Sequence, residues 1–264
     1  MRHNGWERRI DRAEELAQKH AFAAEILRFY ALIAKFQAEF HSRLAGQETF
    51  HEQTPGVQAS DPYVAAEWFP RLLETLERGA PEKVAERARY LRSAAPEIRR
   101  QLLSTYWSGA HPQRQHVDEF IARAFLQPYA EFVREKSKAK PGTHTSTLCS
   151  FCGRRPGVGV LRTLGEGGQR SLVCSFCLAE WPFRRILCPG CGEEDPHKLP
   201  VFTAAELEHV RVESCDSCKT YIKTVDLTRN GLADPVVDEI AALPLDLWAQ
   251  ERGYSKLEVN LMQM

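Results

Sequence analysis

Half of this chain has no cysteine: all eight fall between Cys149 and Cys218. Charge of one sign is also missing, because 35 lysines and arginines meet 35 aspartates and glutamates. That balance speaks against nucleic-acid binders and membrane-surface proteins, which carry excess positive charge. Neither half hides an excess. Residues 1–140 hold 22 basic and 19 acidic side chains, and residues 141–264 hold 13 and 16. No apolar run reaches the roughly 18 residues a transmembrane helix needs, so no membrane insertion is expected. The opening stretch has no apolar segment of the secretory type. Arg8-Arg9 is followed by Asp11, Arg12, Glu14 and Glu15, which suits a solvated first turn of a helix better than a twin-arginine signal. A cytoplasmic location is the expectation.

Catalytic constellations are lacking too, and the chain reads as a non-enzyme. Gly165-Glu166-Gly167-Gly168 lacks the Lys-Ser/Thr of a phosphate loop and reads as a hairpin tip. His20, His41, His111 and His116 show no paired ligand spacing. Asp234, Asp238, Glu239 and Asp246 alternate with Val237, Ile240, Leu243, Leu247 and Trp248, so an amphipathic packing segment is expected rather than carboxylate chemistry.

What the first half does contain is helical periodicity. Phe22, Ile26, Phe29, Tyr30, Ile33, Phe36, Phe40 and Leu44 step by three and four along one helix face, and Gly46 is its expected stop. A polar loop with Pro55, Gly56, Ser60, Asp61 and Pro62 follows. Pro70, Pro81 and Pro96 each open a further helix, and Gly109 and Pro112 end that run. A last helical segment holds Val117, Phe120, Ile121, Phe125, Tyr129 and Phe132, with Pro128 expected to break or kink it. From Lys136 to Thr147 apolar side chains almost vanish, which marks a solvated linker.

The cysteines form four C-x-x-C pairs: Cys149/Cys152, Cys174/Cys177, Cys188/Cys191 and Cys215/Cys218. In a reducing compartment such pairs read as metal ligands rather than disulfides. Spacers of 21 and 23 residues within two units, with only 10 between them, favour a tandem assignment. Cys149, Cys152, Cys174 and Cys177 would hold one cation; Cys188, Cys191, Cys215 and Cys218 would hold the second. A cross-braced pairing stays open. Each long spacer has room for a hairpin: 158–162 with 170–173, then 199–202 with 209–212. Gly153 and Gly192, directly after a second cysteine, suit a turn with positive φ. Four thiolates make a closed tetrahedral site of structural type. They suit zinc and also a single iron.

Residues 149–191 carry six arginines (Arg154, Arg155, Arg162, Arg170, Arg184 and Arg185) against Glu166 and Glu180. This excess would either neutralise the first thiolate cage or meet a partner. Glu213, Lys219, Tyr221 and Lys223 around the last knuckle are candidate partner contacts.

The expected architecture is α+β. A helical domain (1–140) and a linker (141–147) precede two small zinc-ribbon or rubredoxin-like modules (148–187 and 188–230). A short helical tail (231–264) ends the chain. The segments CSFCGRRPGVG (149–159), RSLVCSFCLAEWPFRRILCPGCG (170–192), ESCDSCKTYIKTVD (213–226) and PVVDEIAALPLDLWAQERGY (235–254) resemble the formate dehydrogenase accessory protein family, FdhE. The resemblance implies a cytoplasmic maturation factor that binds the catalytic subunit of formate dehydrogenase before export. It also implies two bound metal ions, iron in preference to zinc. A rubredoxin-like electron carrier is the alternative, a nucleic-acid-binding ribbon is less favoured, and a homodimer is left open.

Overall fold

The computed structural model describes residues 5–46, 66–109, 116–165 and 167–264. The expected loop at Pro55–Pro62, His111, Pro112 and Glu166 lie outside the described residues. Six helices come first: α1 (Gly5–Lys19), α2 (Ala24–Ala45), α3 (Phe69–Gly79), α4 (Glu82–Ser93), α5 (Pro96–Trp107) and α6 (His116–Lys136). Pro70 and Pro96 lie in the first turns of α3 and α5, and Pro81 caps α4. None of the described helices is long and apolar enough to cross a membrane.

The helical turn expected around Arg8-Arg9 is present and belongs to a full helix, α1, which buries Trp6, Arg12, Ala13, Leu16 and Ala17. Two helical expectations are corrected. Phe22 lies in a short 3-10 turn and is exposed, so the packed stripe of α2 runs from Leu27 through Tyr30, Ile33, Phe36 and Phe40 to Leu44. Burying each such large side chain contributes about 1.5–3 kcal/mol. Pro128 does not break its helix, and α6 runs through it unbroken. The carbonyl that loses its donor there is met from α2.

Strands follow: β1 (Pro156–Leu164), β2 (Gly167–Cys174), β3 (Glu180–Pro182), β4 (Val201–Thr203), β5 (Val210–Cys215), β6 (Thr220–Asp226) and β7 (Ser255–Lys256). β1 and β2 form the first expected hairpin, and β4 and β5 the second. They are not separate lobes. One sheet runs β3-β2-β1-β6-β5-β4, with β1 and β6 joined in parallel at Gly159–Leu161 and Thr224–Asp226. Gly159 makes room for that seam, since a Cβ there would run into the Thr224 side chain.

Helices α7 (Pro235–Ala241) and α8 (Leu243–Glu251) close the chain against this sheet. Asp234 caps α7 by accepting from the Val236 and Val237 N–H groups, with Pro235 preset in the first turn. The tail packs through Val237 and Ile240 as expected, but its acids are not the solvated face. Asp238, Glu239 and Asp246 are buried, whereas Leu247 is exposed. They turn inward because cations wait there. Lys223 Nζ donates to Asp246 Oδ2 at 2.6 Å and lies 3.0 Å from Glu239 Oε1. Lys256 Nζ also reaches both carboxylates, and Asn260 Nδ2 donates to Glu239 at 2.8 Å.

Candidate metal centres

Each C-x-x-C pair is built the same way. The residue after the second cysteine takes a left-handed conformation in all four: Gly153 (φ 72°), Leu178 (φ 53°), Gly192 (φ 79°) and Lys219 (φ 55°). Glycine is the low-strain choice there, and Leu178 and Lys219 accept the strain because the turn closes around a sulfur. The N–H of that residue donates back to the carbonyl of the first cysteine, at 2.8 Å in Gly153, 3.0 Å in Gly192 and 2.9 Å in Lys219. Phe176 and Gly190 aim their N–H groups at Cys174 and Cys188 Sγ, at 3.4 and 3.3 Å.

These turns bring Cys149, Cys152, Cys174 and Cys177 together, and Cys188, Cys191, Cys215 and Cys218 likewise, each set of sulfurs lying within 4.8 Å. The grouping is tandem, not cross-braced. No disulfide joins them. Sulfurs are 3.5 Å apart in Cys149/Cys177 and 3.3 Å in Cys152/Cys174; in Cys188/Cys218 and Cys191/Cys215 they are 3.7 and 3.6 Å apart. A cation about 2.3 Å from four sulfurs places them about 3.8 Å apart in a tetrahedron. Both quartets therefore fit a four-coordinate ion, and the two distances given for the second lie nearer the tetrahedral value.

Crowding splits the thiols in each quartet. Hydrogen bonds from Cys152, Cys174 and Cys177 pull Cys149 far below the ordinary thiol range, whereas burial pushes Cys174 well above it. In the second quartet burial pushes Cys188 up to about 12. Burial acts the same way on Cys218, but hydrogen bonds from Thr220 outweigh it and bring that thiol to about 7. A central cation favours the thiolate form of all four.

The two quartets differ in setting. All four cysteines of the first are buried; in the second Cys191 is exposed and Cys218 half-buried. The helices make the difference. Arg123 and Arg134 of α6 donate to the carbonyls of Ser175 and Cys177, at 2.6 and 3.1 Å. Phe176, between those cysteines, meets Tyr106 and Trp107 of α5 edge-on. Arg154 lies over the Tyr106 and Phe176 rings. The second quartet has no such clamp among the described residues.

The candidate partner residues separate. Lys219 is exposed and pairs with Asp216. Glu213 is half-buried between Arg170 and Arg211. Tyr221 and Lys223 are buried, with Tyr221 donating to Asp246 at 2.8 Å, so they hold the tail helices instead of facing a partner. Sequence reasoning missed Arg123 and Arg134, which look like ordinary helical cations. Their only signal is spacing on the apolar face of α6 beside Phe120, Phe125 and Phe132.

Comparison with known proteins agrees with this geometry. Residues 187–263 match the model of the FdhE C-terminal domain. An FdhE homolog of Aquifex aeolicus is 33% identical over 196 residues, covering 74% of this chain and 68% of the relative. A homolog from Haemophilus influenzae is 25% identical over 97% of this chain and 87% of its own length. The crystal structure of the FdhE protein from Pseudomonas aeruginosa superposes with a TM-score of 0.76 at 26% identity, covering 98% of this chain and 95% of that one. With this likeness running from the helical half through both sulfur quartets, the chain belongs to the FdhE family.

Proposed function

We propose that this protein is a cytoplasmic, non-enzymatic accessory factor for the assembly of formate dehydrogenase. It binds the catalytic subunit before export and carries two metal ions. Cys149, Cys152, Cys174 and Cys177 hold one, and Cys188, Cys191, Cys215 and Cys218 the other. The observation that carries the reading is the pair of closed four-sulfur sites within a fold shared along the whole chain with a solved FdhE protein. A closed thiolate cage supplies folding energy and, with iron, one-electron chemistry. Iron is the expected metal and zinc the alternative. The test is affinity capture of the tagged protein from cells making formate dehydrogenase, together with deletion of its gene. Co-purification of the catalytic subunit and loss of formate dehydrogenase activity are expected. A deletion strain with full activity overturns the reading.

The exposure of Cys191 favours one second reading, an iron centre that passes electrons to the client. It expects a red oxidised protein that bleaches reversibly on reduction. Zinc in protein isolated from its native cells ends it.

A further inference from the structure

A small cleft of about 70 Å³ opens beside the second sulfur quartet, and three of its lining side chains are arginines: Arg170, Arg185 and Arg211. One carboxylate, Glu213, faces them. It accepts from Arg170 at 2.5 Å through one oxygen and from Arg211 at 2.6 Å through the other. Cys188 and Cys215 of the second quartet also line the cleft, so the three guanidinium groups face one carboxylate and one edge of the thiolate cage. Arg185 comes from the loop after β3 and forms no ion pair or hydrogen bond among the described residues. Arg170 is only 3% exposed: its Nη1 donates to the carbonyls of Arg184 and Leu187, its Nη2 pairs with Glu213, and its buried Nε–H has no acceptor among the described residues.

We infer that this cleft binds a small oxyanion, with Arg185 and Arg211 as its donors and Arg170 as a buried positive charge behind them. The polar wall offers donors and positive charge, and Glu213 is already committed. Leu187, Ile222 and Leu257 form the apolar side and limit solvent, which strengthens charge-assisted hydrogen bonds. The volume admits a few heavy atoms, enough for a carboxylate or a tetrahedral anion and too little for a nucleotide. Guanidinium groups suit oxyanions because their planar forks present parallel donors. Neutralising the neighbouring thiolate cage would require charge alone. It would not require an exposed guanidinium left without a partner among the described residues at the mouth of an open cleft.

The test is calorimetric titration of the full-length, metal-loaded protein with inorganic phosphate and, separately, with acetate. Chloride holds the ionic strength constant. One saturable site per chain is expected, and the stronger of the two anions identifies the preferred shape. Arg185→Gln should weaken binding about tenfold or more, since it removes an unpaired donor without disturbing the buried pair. Arg155→Gln serves as control: Arg155 is exposed, belongs to the same arginine-rich stretch and does not line the cleft. No saturation by about 20 mM, a range that already reaches weak millimolar sites, overturns the proposal. So does equal weakening in both variants, which is diffuse attraction, or unchanged affinity in Arg185→Gln.

Discussion

Gln37 of α2 donates its side-chain amide to the Ala124 carbonyl of α6 at 2.7 Å, and Ala124 stands four positions before Pro128. In a helix that carbonyl would accept from the N–H of residue 128, which proline lacks. A neighbouring helix thus repairs the defect, and α6 keeps its 21-residue length to reach the first sulfur quartet. Gln37→Leu should cost about 1–3 kcal/mol by orphaning a buried carbonyl. In a Pro128→Ala background the carbonyl regains its own donor, so the same change should cost clearly less. Urea unfolding of the four proteins measures the coupling, and additive effects would refute the repair.

How much of this was legible beforehand depended on whether the signal was local. The C-x-x-C pairs, the two hairpins and the helix starts at Pro70, Pro81 and Pro96 are written in short stretches. The parallel seam between β1 and β6 is not. It pairs Gly159 with Thr224, and nothing near either residue announces the other. Pro128 looked like a break because its repair lies on another helix. The tail acids misled for a related reason. Asp238, Glu239 and Asp246 look like a solvated face until Arg12, Lys223 and Lys256, distant in sequence, fold onto them.

Asp238 ties the beginning of the chain to its end. It accepts from Arg12 at 3.0 and 2.6 Å, lies 2.7 Å from His209 Nε2, and accepts the Asp234 N–H at 2.8 Å. Burial opposes its charge, but His209 and Arg12 outweigh that and hold its carboxyl below the usual range. Asp238→Asn leaves the buried Arg12 with only the exposed Glu15 as counter-charge and should destabilise the protein by about 3 kcal/mol. Limited proteolysis should then cut first around α7 and α8. A thermal midpoint equal to that of the parent protein would show that the pair contributes nothing.

Acid should act through the same tail. Burial raises the Glu239 carboxyl, yet Lys223 and Lys256 outweigh burial and bring it down to about 2. A carboxylate held below its unfolded value contributes stability that is fully present above about pH 4.5 and fades as pH falls towards 2. The linked term is on the order of 3 kcal/mol. Asp234 works in the opposite sense, since burial raises it. Urea midpoints measured from pH 7 down to pH 3 should therefore fall on the acid side. Glu239→Gln should start lower at pH 7, because it leaves two lysines facing one carboxylate, and should lose less on acidification. Parallel pH profiles for the two proteins would exclude Glu239 as the source.

Metal should leave the two centres at different rates. The first quartet is buried under Phe176 and held by Arg123 and Arg134. A chelator must reach a coordinating sulfur or the ion itself, so release there needs α5 and α6 to move away. Cys191 already meets solvent. With both sites loaded, a chromophoric chelator should therefore take about one equivalent quickly and the second far more slowly, the slow phase tracking local opening. Cys191→Ser should abolish the fast phase and leave the helical signal in circular dichroism intact. Cys174→Ser should abolish the slow phase and also loosen the contact with α5, seen as faster hydrogen exchange at Tyr106 and Trp107. A single phase for both equivalents would mean that burial does not govern access to either ion.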